Sequence, residues 1–244
     1  MDLKLTEADS KQRYLSGSFS YKKNNAIYGQ ETFSVSRISN NTQLLYDSEF
    51  IGRVETGELL KINVLYIMNK NGHPQDVSIK KALGRFVSDE LYQFNSKNLN
   101  IQYTFVSAGN RTKVDLNVNP KNTIATPVAS TSGLFTLTKK LDLHSDNYYS
   151  ILASNNLWEY EDKPFVQNIT LRKIGLIAED IEIDGQEVNA RHYEIIPDET
   201  SDSELVPNQK GRLEIYLSHH SGIPYRIIQS DGTEIIINKL HRFD

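Results

Sequence analysis

Apolar and polar residues alternate in short runs along most of the chain, the period of a half-buried β-strand. Phe19 and Tyr21 alternate with serine and lysine, and Phe33 and Val35 alternate with serine. Similar runs cover 44–50, 60–68, 77–81, 85–94, 101–106 and 113–118, then 165–174, 176–183, 187–196 and 212–217. Between them stand turn-forming residues: 22–25, Asn71-Gly72, Asp184-Gly185, Ser221-Gly222 and Asp231-Gly232. Residues 1–13 read as an N-terminal arm, and the acidic 197–209 as a long exposed loop. About a dozen short strands joined by tight turns predict a mostly β chain, an antiparallel barrel or half-barrel. No composition shift marks a linker, so 14–240 read as a single barrel-like domain with a tail at 241–244.

One stretch, about 126–157, departs from alternation and predicts a short helical insertion in the middle of the chain. Thr126-Pro127 offers a helix start, with threonine as cap and proline in the first turn. Leu134, Leu137 and Leu141 then share one helical face, although Gly133 weakens the helix. Ser145-Asp146 offers a second start, with Tyr148, Ile151 and Leu152 on one face and Asn155-Asn156 as the stop. Trp158, the single tryptophan, follows. Two such helices would bury their apolar faces against a sheet, either as a core plug or as a lid over an apolar cavity. There is also an internal echo. Asn71-Gly72-His73-Pro74 and Ser221-Gly222-Ile223-Pro224 each follow one apolar run and precede another.

Composition narrows the function. A net charge of −4 and a pI near 5.9, with no basic cluster, argue against nucleic acid as the main partner. The absence of cysteine excludes disulfides, thiolate metal sites and a cysteine nucleophile. No apolar run is long enough for a transmembrane segment. The polar start lacks a signal-peptide pattern, which favours the cytoplasm if Met1 is native.

The sequence contains no Gly-x-Ser-x-Gly elbow, phosphate loop or dinucleotide fingerprint. His219-His220 are adjacent, so on a strand they point to opposite faces. His192 shares a strand face with Val188 and Ala190, and would be the candidate general base if that face lined a cavity beside a carboxylate. No catalytic residue, metal ligand or cofactor is assigned. The 13 tyrosines suit a cavity that grips an amphipathic ligand, although aromatic residues also favour strands in general.

The run Gly17-Ser18-Phe19-Ser20-Tyr21, followed by Tyr28-Gly29-Gln30-Glu31-Thr32-Phe33-Ser34-Val35, resembles the opening hairpin of a mostly exported bacterial β-rich family known as a domain of unknown function. The Gly-His-Pro turn, the Thr126-Pro127 entry and the closing Asp231-Gly232-Thr233-Glu234 hairpin follow the same order, and the resemblance spans most of 16–240. That family is similar in architecture to periplasmic lipoprotein carriers of the LolA and LolB type. The resemblance implies a periplasmic protein that holds a lipid or another hydrophobic small molecule, and it carries over no catalytic residue.

The preferred reading is non-catalytic binding of a hydrophobic ligand, a lipid or acyl chain, in an apolar cavity. The candidate ligand-binding residues are Leu134, Leu137, Tyr148, Tyr149, Ile151, Leu152 and Trp158. The alternatives are an isomerase, cyclase or hydrolase acting on an apolar substrate in the same cavity, and a cell-envelope assembly module.

Overall fold

The computed structural model describes residues 11–38, 42–95, 100–119, 121–175, 177–198, 213–218 and 221–243. Residues 1–10 of the expected arm, 199–209 of the expected loop, Leu176 and His219-His220 lie outside the described residues.

The first half contains β1 (Gln12–Lys23), β2 (Ala26–Ile38), β3 (Gln43–Arg53), β4 (Leu59–Asn69), β5 (Pro74–Leu83), β6 (Phe86–Asn95), β7 (Asn100–Ser107) and β8 (Asn110–Leu116). The middle contains β9 (Thr123–Ile124), α1 (Ala129–Ser132), a 3-10 turn at Leu134–Thr138 and β10 (Asn147–Ala153). The second half contains β11 (Phe165–Lys173), β12 (Glu179–Ile183), β13 (Gln186–Pro197), β14 (Leu213–Leu217), β15 (Pro224–Gln229) and β16 (Thr233–Arg242).

Alternation explains why these residues form strands. In β2, Gly29, Glu31, Phe33 and Val35 are buried while Gln30 and Thr32 between them are exposed. Asn24 and Asn25 both take positive φ, which lets a two-residue turn follow the twist of β1 and β2. The sheet runs β8-β7-β6-β5-β4-β3-β2-β1-β16-β15-β14-β13-β11-β10-β9, with β12 paired to β13 on the side. All pairs are antiparallel except the short β9–β10 contact. The chain is therefore mostly β, with one long antiparallel sheet.

Among the described residues the sheet curls without closing through strand pairing. Near its β9 end, Tyr66 in β4 accepts a hydrogen bond from the Ile124 N–H at 3.2 Å through its hydroxyl. The loop after β10 reaches the opposite arm of the sheet. There Ser88 donates to the Leu157 carbonyl, and Ser107 donates to the Trp158 carbonyl, each at 2.5 Å. Phe19, Val64, Tyr66, Tyr92, Tyr103, Leu152 and Tyr193 are fully buried in one continuous core.

The insertion departs from expectation. Its helical part shrinks to α1 and the 3-10 turn, and Tyr148, Ile151 and Leu152 lie in β10 rather than in a second helix. The helical spacing of those three residues coexists with strand alternation: Asn147 and Tyr149 are buried, Tyr148 and Ser150 exposed. Tyr and Ile favour strands, and every residue of β10 stands in register with β11. Asp146 pairs with Arg172 of β11 at 3.0 Å instead of starting a helix. β1 begins at Gln12.

α1 and the 3-10 turn form a buried plug. A Cβ added at Gly133 would sit 2.4 Å from the Gly222 carbonyl oxygen, so the plug touches the β14–β15 turn backbone to backbone. Leu137 lies against both Gly72 and Gly222, which have φ of +78° and +64°. The two Gly-x-Pro turns that echo each other in sequence thus close on one leucine at one end of the sheet.

Asp76 in β5 provides a pH probe of the fold. Partial burial raises its carboxyl from 3.8 to about 6, against a hydrogen bond from Gln93 that lowers it. The folded state binds more protons than the unfolded state between those values. Stability from this group therefore falls as pH rises from about 4 to about 6. Asp76→Asn is expected to gain on the order of 1 kcal/mol at pH 7.5, discounted because the site reaches solvent, and nothing near pH 3. Urea denaturation at both pH values checks this, and equal gains at both would contradict it.

Candidate functional site: a cavity beside the plug

A partly open cavity of about 550 Å³ lies between the plug and the strands of the second half. One wall is Thr123, Ile124, Ala125 and Thr126, with Thr131 and Ser132 of α1 and Phe135 of the 3-10 turn. The other wall is Ile151 of β10, Gln167 and Ile169 of β11, Ile195 and Pro197 of β13, Leu213 of β14 and Gln229 of β15. Ser230 and Asp231, in the β15–β16 turn, complete the lining. Sheet order makes the second wall, since β10, β11, β13, β14 and β15 are successive neighbours. The volume falls within the range of about 300–1,000 Å³ typical of small-molecule sites.

A buried carboxylate fixes the plug wall. Glu31 of β2 is fully buried and faces the core beside Phe33. It accepts hydrogen bonds from the Tyr21 hydroxyl at 2.5 Å, the Ala129 N–H at 2.8 Å and the Ser130 N–H at 3.0 Å. Val128 stands at the α1 cap position with no side-chain bond, so Glu31 supplies the cap from another strand. Thr126, the expected cap, instead bonds the Thr131 hydroxyl. Burial raises the Glu31 carboxyl above the ordinary carboxylate range, and the donors around it reduce that rise.

A second buried carboxylate, Glu90 of β6, accepts from Lys81 at 2.7 Å, Tyr103 at 3.0 Å and Tyr92 at 3.1 Å. Lys81 also donates to the Asn156 carbonyl at 2.8 Å, and the Asn156 side chain donates to the Tyr103 hydroxyl at 2.9 Å. This cluster ties the loop after β10 to the opposite arm of the sheet.

The expected ligand-binding residues divide. Ile151 lines the cavity. Tyr149 packs edge-on against the lining residue Phe135, with ring centroids 4.9 Å apart. Leu134 and Leu152 are core residues, and Leu137 is held between the two glycine turns. Tyr148 is exposed, and Trp158 packs against Phe86 on the far arm. Sequence reading missed Ile169, Ile195 and Leu213. Each was visible as an apolar strand position, but nothing local says that their strands share one wall. Glu31 and Glu90 did carry a signal, because each is an acid in register with its strand's buried face.

His192 lies apart from the cavity lining. Its ring stacks on Tyr216 with centroids 4.0 Å apart. Its Nδ1 meets Glu179 at 3.0 Å and its Nε2 meets Glu214 at 2.9 Å, so both nitrogens are engaged by carboxylates. Asp231 is the ionisable side chain among the described lining residues. It accepts from the Thr233 N–H at 2.9 Å and pairs with Lys23 at 3.2 Å. These donors, the Thr233 N–H foremost, hold its carboxyl below the usual range. No helix among the described residues is long and apolar enough to cross a membrane.

Fold and cavity define a β-barrel-like protein. Among solved structures, a β-barrel-like protein of the domain of unknown function DUF1849 from Brucella abortus is similar to this chain. It has a TM-score of 0.61 at 10% identity, covering 96% of this chain and 100% of that one. A DUF1089 family protein from Pseudomonas aeruginosa is also similar, with a TM-score of 0.51 at 12% identity over 81% and 88% of the two chains. At these identities the likeness is one of fold alone. No family model matches the chain, and no curated protein matches it.

Proposed function

We propose that this protein binds a hydrophobic or amphipathic small molecule without transforming it, in the cavity beside the plug. The observation that carries this reading is the cavity itself: about 550 Å³, walled by Ile124, Phe135, Ile151, Ile169, Ile195 and Leu213. Such a lining rewards apolar contact at roughly 0.8 kcal/mol per buried methylene. A lipid or acyl chain is one ligand of that chemistry, and a periplasmic carrier role would use it. Catalysis is less well supported. Asp231 is already engaged by a backbone N–H and a lysine, and His192 is sandwiched elsewhere.

Ile151→Trp tests the reading, because the indole would project from β10 into the cavity and obstruct it. Displacement titration with the neutral fluorophore N-phenyl-1-naphthylamine is expected to show at least tenfold weaker binding. Circular dichroism should show an unchanged β spectrum. Unaltered affinity in a folded variant would place the probe elsewhere and remove the main support for the cavity as the binding site.

A further inference from the structure

We infer that the cavity selects uncharged amphiphiles, such as alcohols and monoacylglycerols, over carboxylate amphiphiles of the same chain length. This deepens the proposed binding function and rests on it. The uncharged polar residues of the lining are Thr123, Thr126, Thr131, Ser132 and Ser230, with hydroxyls, and Gln167 and Gln229, with amides. None of these groups carries a charge; the Thr126 and Thr131 hydroxyls bond each other and the Ser132 hydroxyl donates to the Ala129 carbonyl, and the other hydroxyls and the two amides can donate to and accept from a hydroxyl or an ester.

Among the described lining residues the single formal charge is Asp231, and it is negative. Lys23, the cation beside it, is paired with that same carboxylate. Among the described lining residues a ligand carboxylate would lose water without gaining an unpaired cation, and it would share the cavity with the Asp231 carboxylate. An ionised group moved from water without a partner is strongly disfavoured. A neutral head group loses far less and regains hydrogen bonds from the wall.

The test uses the intact protein loaded with N-phenyl-1-naphthylamine at pH 8. Monolauroylglycerol and laurate, both below their micellar concentrations, compete for it in parallel titrations. Monolauroylglycerol is expected to displace the probe with at least tenfold higher affinity than laurate. A gap below tenfold, or a reversed preference, overturns the selectivity and leaves the binding function standing. If neither displaces the probe, both the selectivity and the proposed function fall.

Discussion

Glu31→Ala is expected to destabilise the protein by about 3–4 kcal/mol in urea denaturation at pH 7. The substitution removes the acceptor of two buried donors, the Tyr21 hydroxyl and the Ser130 N–H, and leaves the Ala129 N–H with the Tyr21 hydroxyl alone. It also unfastens α1, which has no cap of its own. Part of the loss is offset, because the native carboxylate is itself poorly solvated and has a raised pKa. Glu31→Gln separates the two effects. It keeps an acceptor, removes the charge, and should lose only about 1–2 kcal/mol.

The pH dependence has a definite sign. The folded pKa of Glu31 lies above its unfolded value, so this group's contribution falls as pH rises from the ordinary carboxylate range through the raised value. Glu31→Gln should remove that slope. If Glu31→Ala destabilised no more than an exposed glutamate does, Glu31 would not be what holds the plug.

The second large effect lies on the opposite arm. Lys81→Met is expected to lose about 3–5 kcal/mol, because Glu90 is then left buried without its cation and with only two tyrosine donors. The side chains of Lys81 and Glu90 are 10% and 2% exposed, so solvent replaces little of what is lost. The Asn156 carbonyl loses a donor as well. Glu90→Leu alone should be similarly harmful, since it strands the lysine ammonium. The double variant Lys81→Met/Glu90→Leu should recover much of the loss, giving a coupling above about 2 kcal/mol in the cycle. Additive single effects would mean that the two side chains do not form a buried pair.

Much of the sheet was legible from alternation and turn residues alone. A turn within 22–25, the alternation of Phe33 and Val35, and a strand within 212–217 all stand where the sequence places them. These are local properties: a strand's face is set by every second residue, and a tight turn by two. The misassigned stretch is Tyr148–Leu152, where helical and strand spacings overlap. Pairing with β11, a tertiary event, decided between them.

The cavity was less legible for the same reason. Ile151 could be proposed because it lies in the unusual central stretch. Ile169, Ile195 and Leu213 become neighbours only once β11, β13 and β14 line up in the sheet. Glu31 could have been found by asking which acids share strand parity with buried aromatics. Its role as a cap 98 residues away in the chain could not have been.

Ligand binding is the central claim, and native mass spectrometry of the protein purified from its own host tests it most directly. The spectrum is compared with the denatured mass of the same sample. The account predicts an additional mass that disappears on denaturation and whose fragments carry a long apolar chain. A native mass equal to that of the polypeptide alone would contradict it.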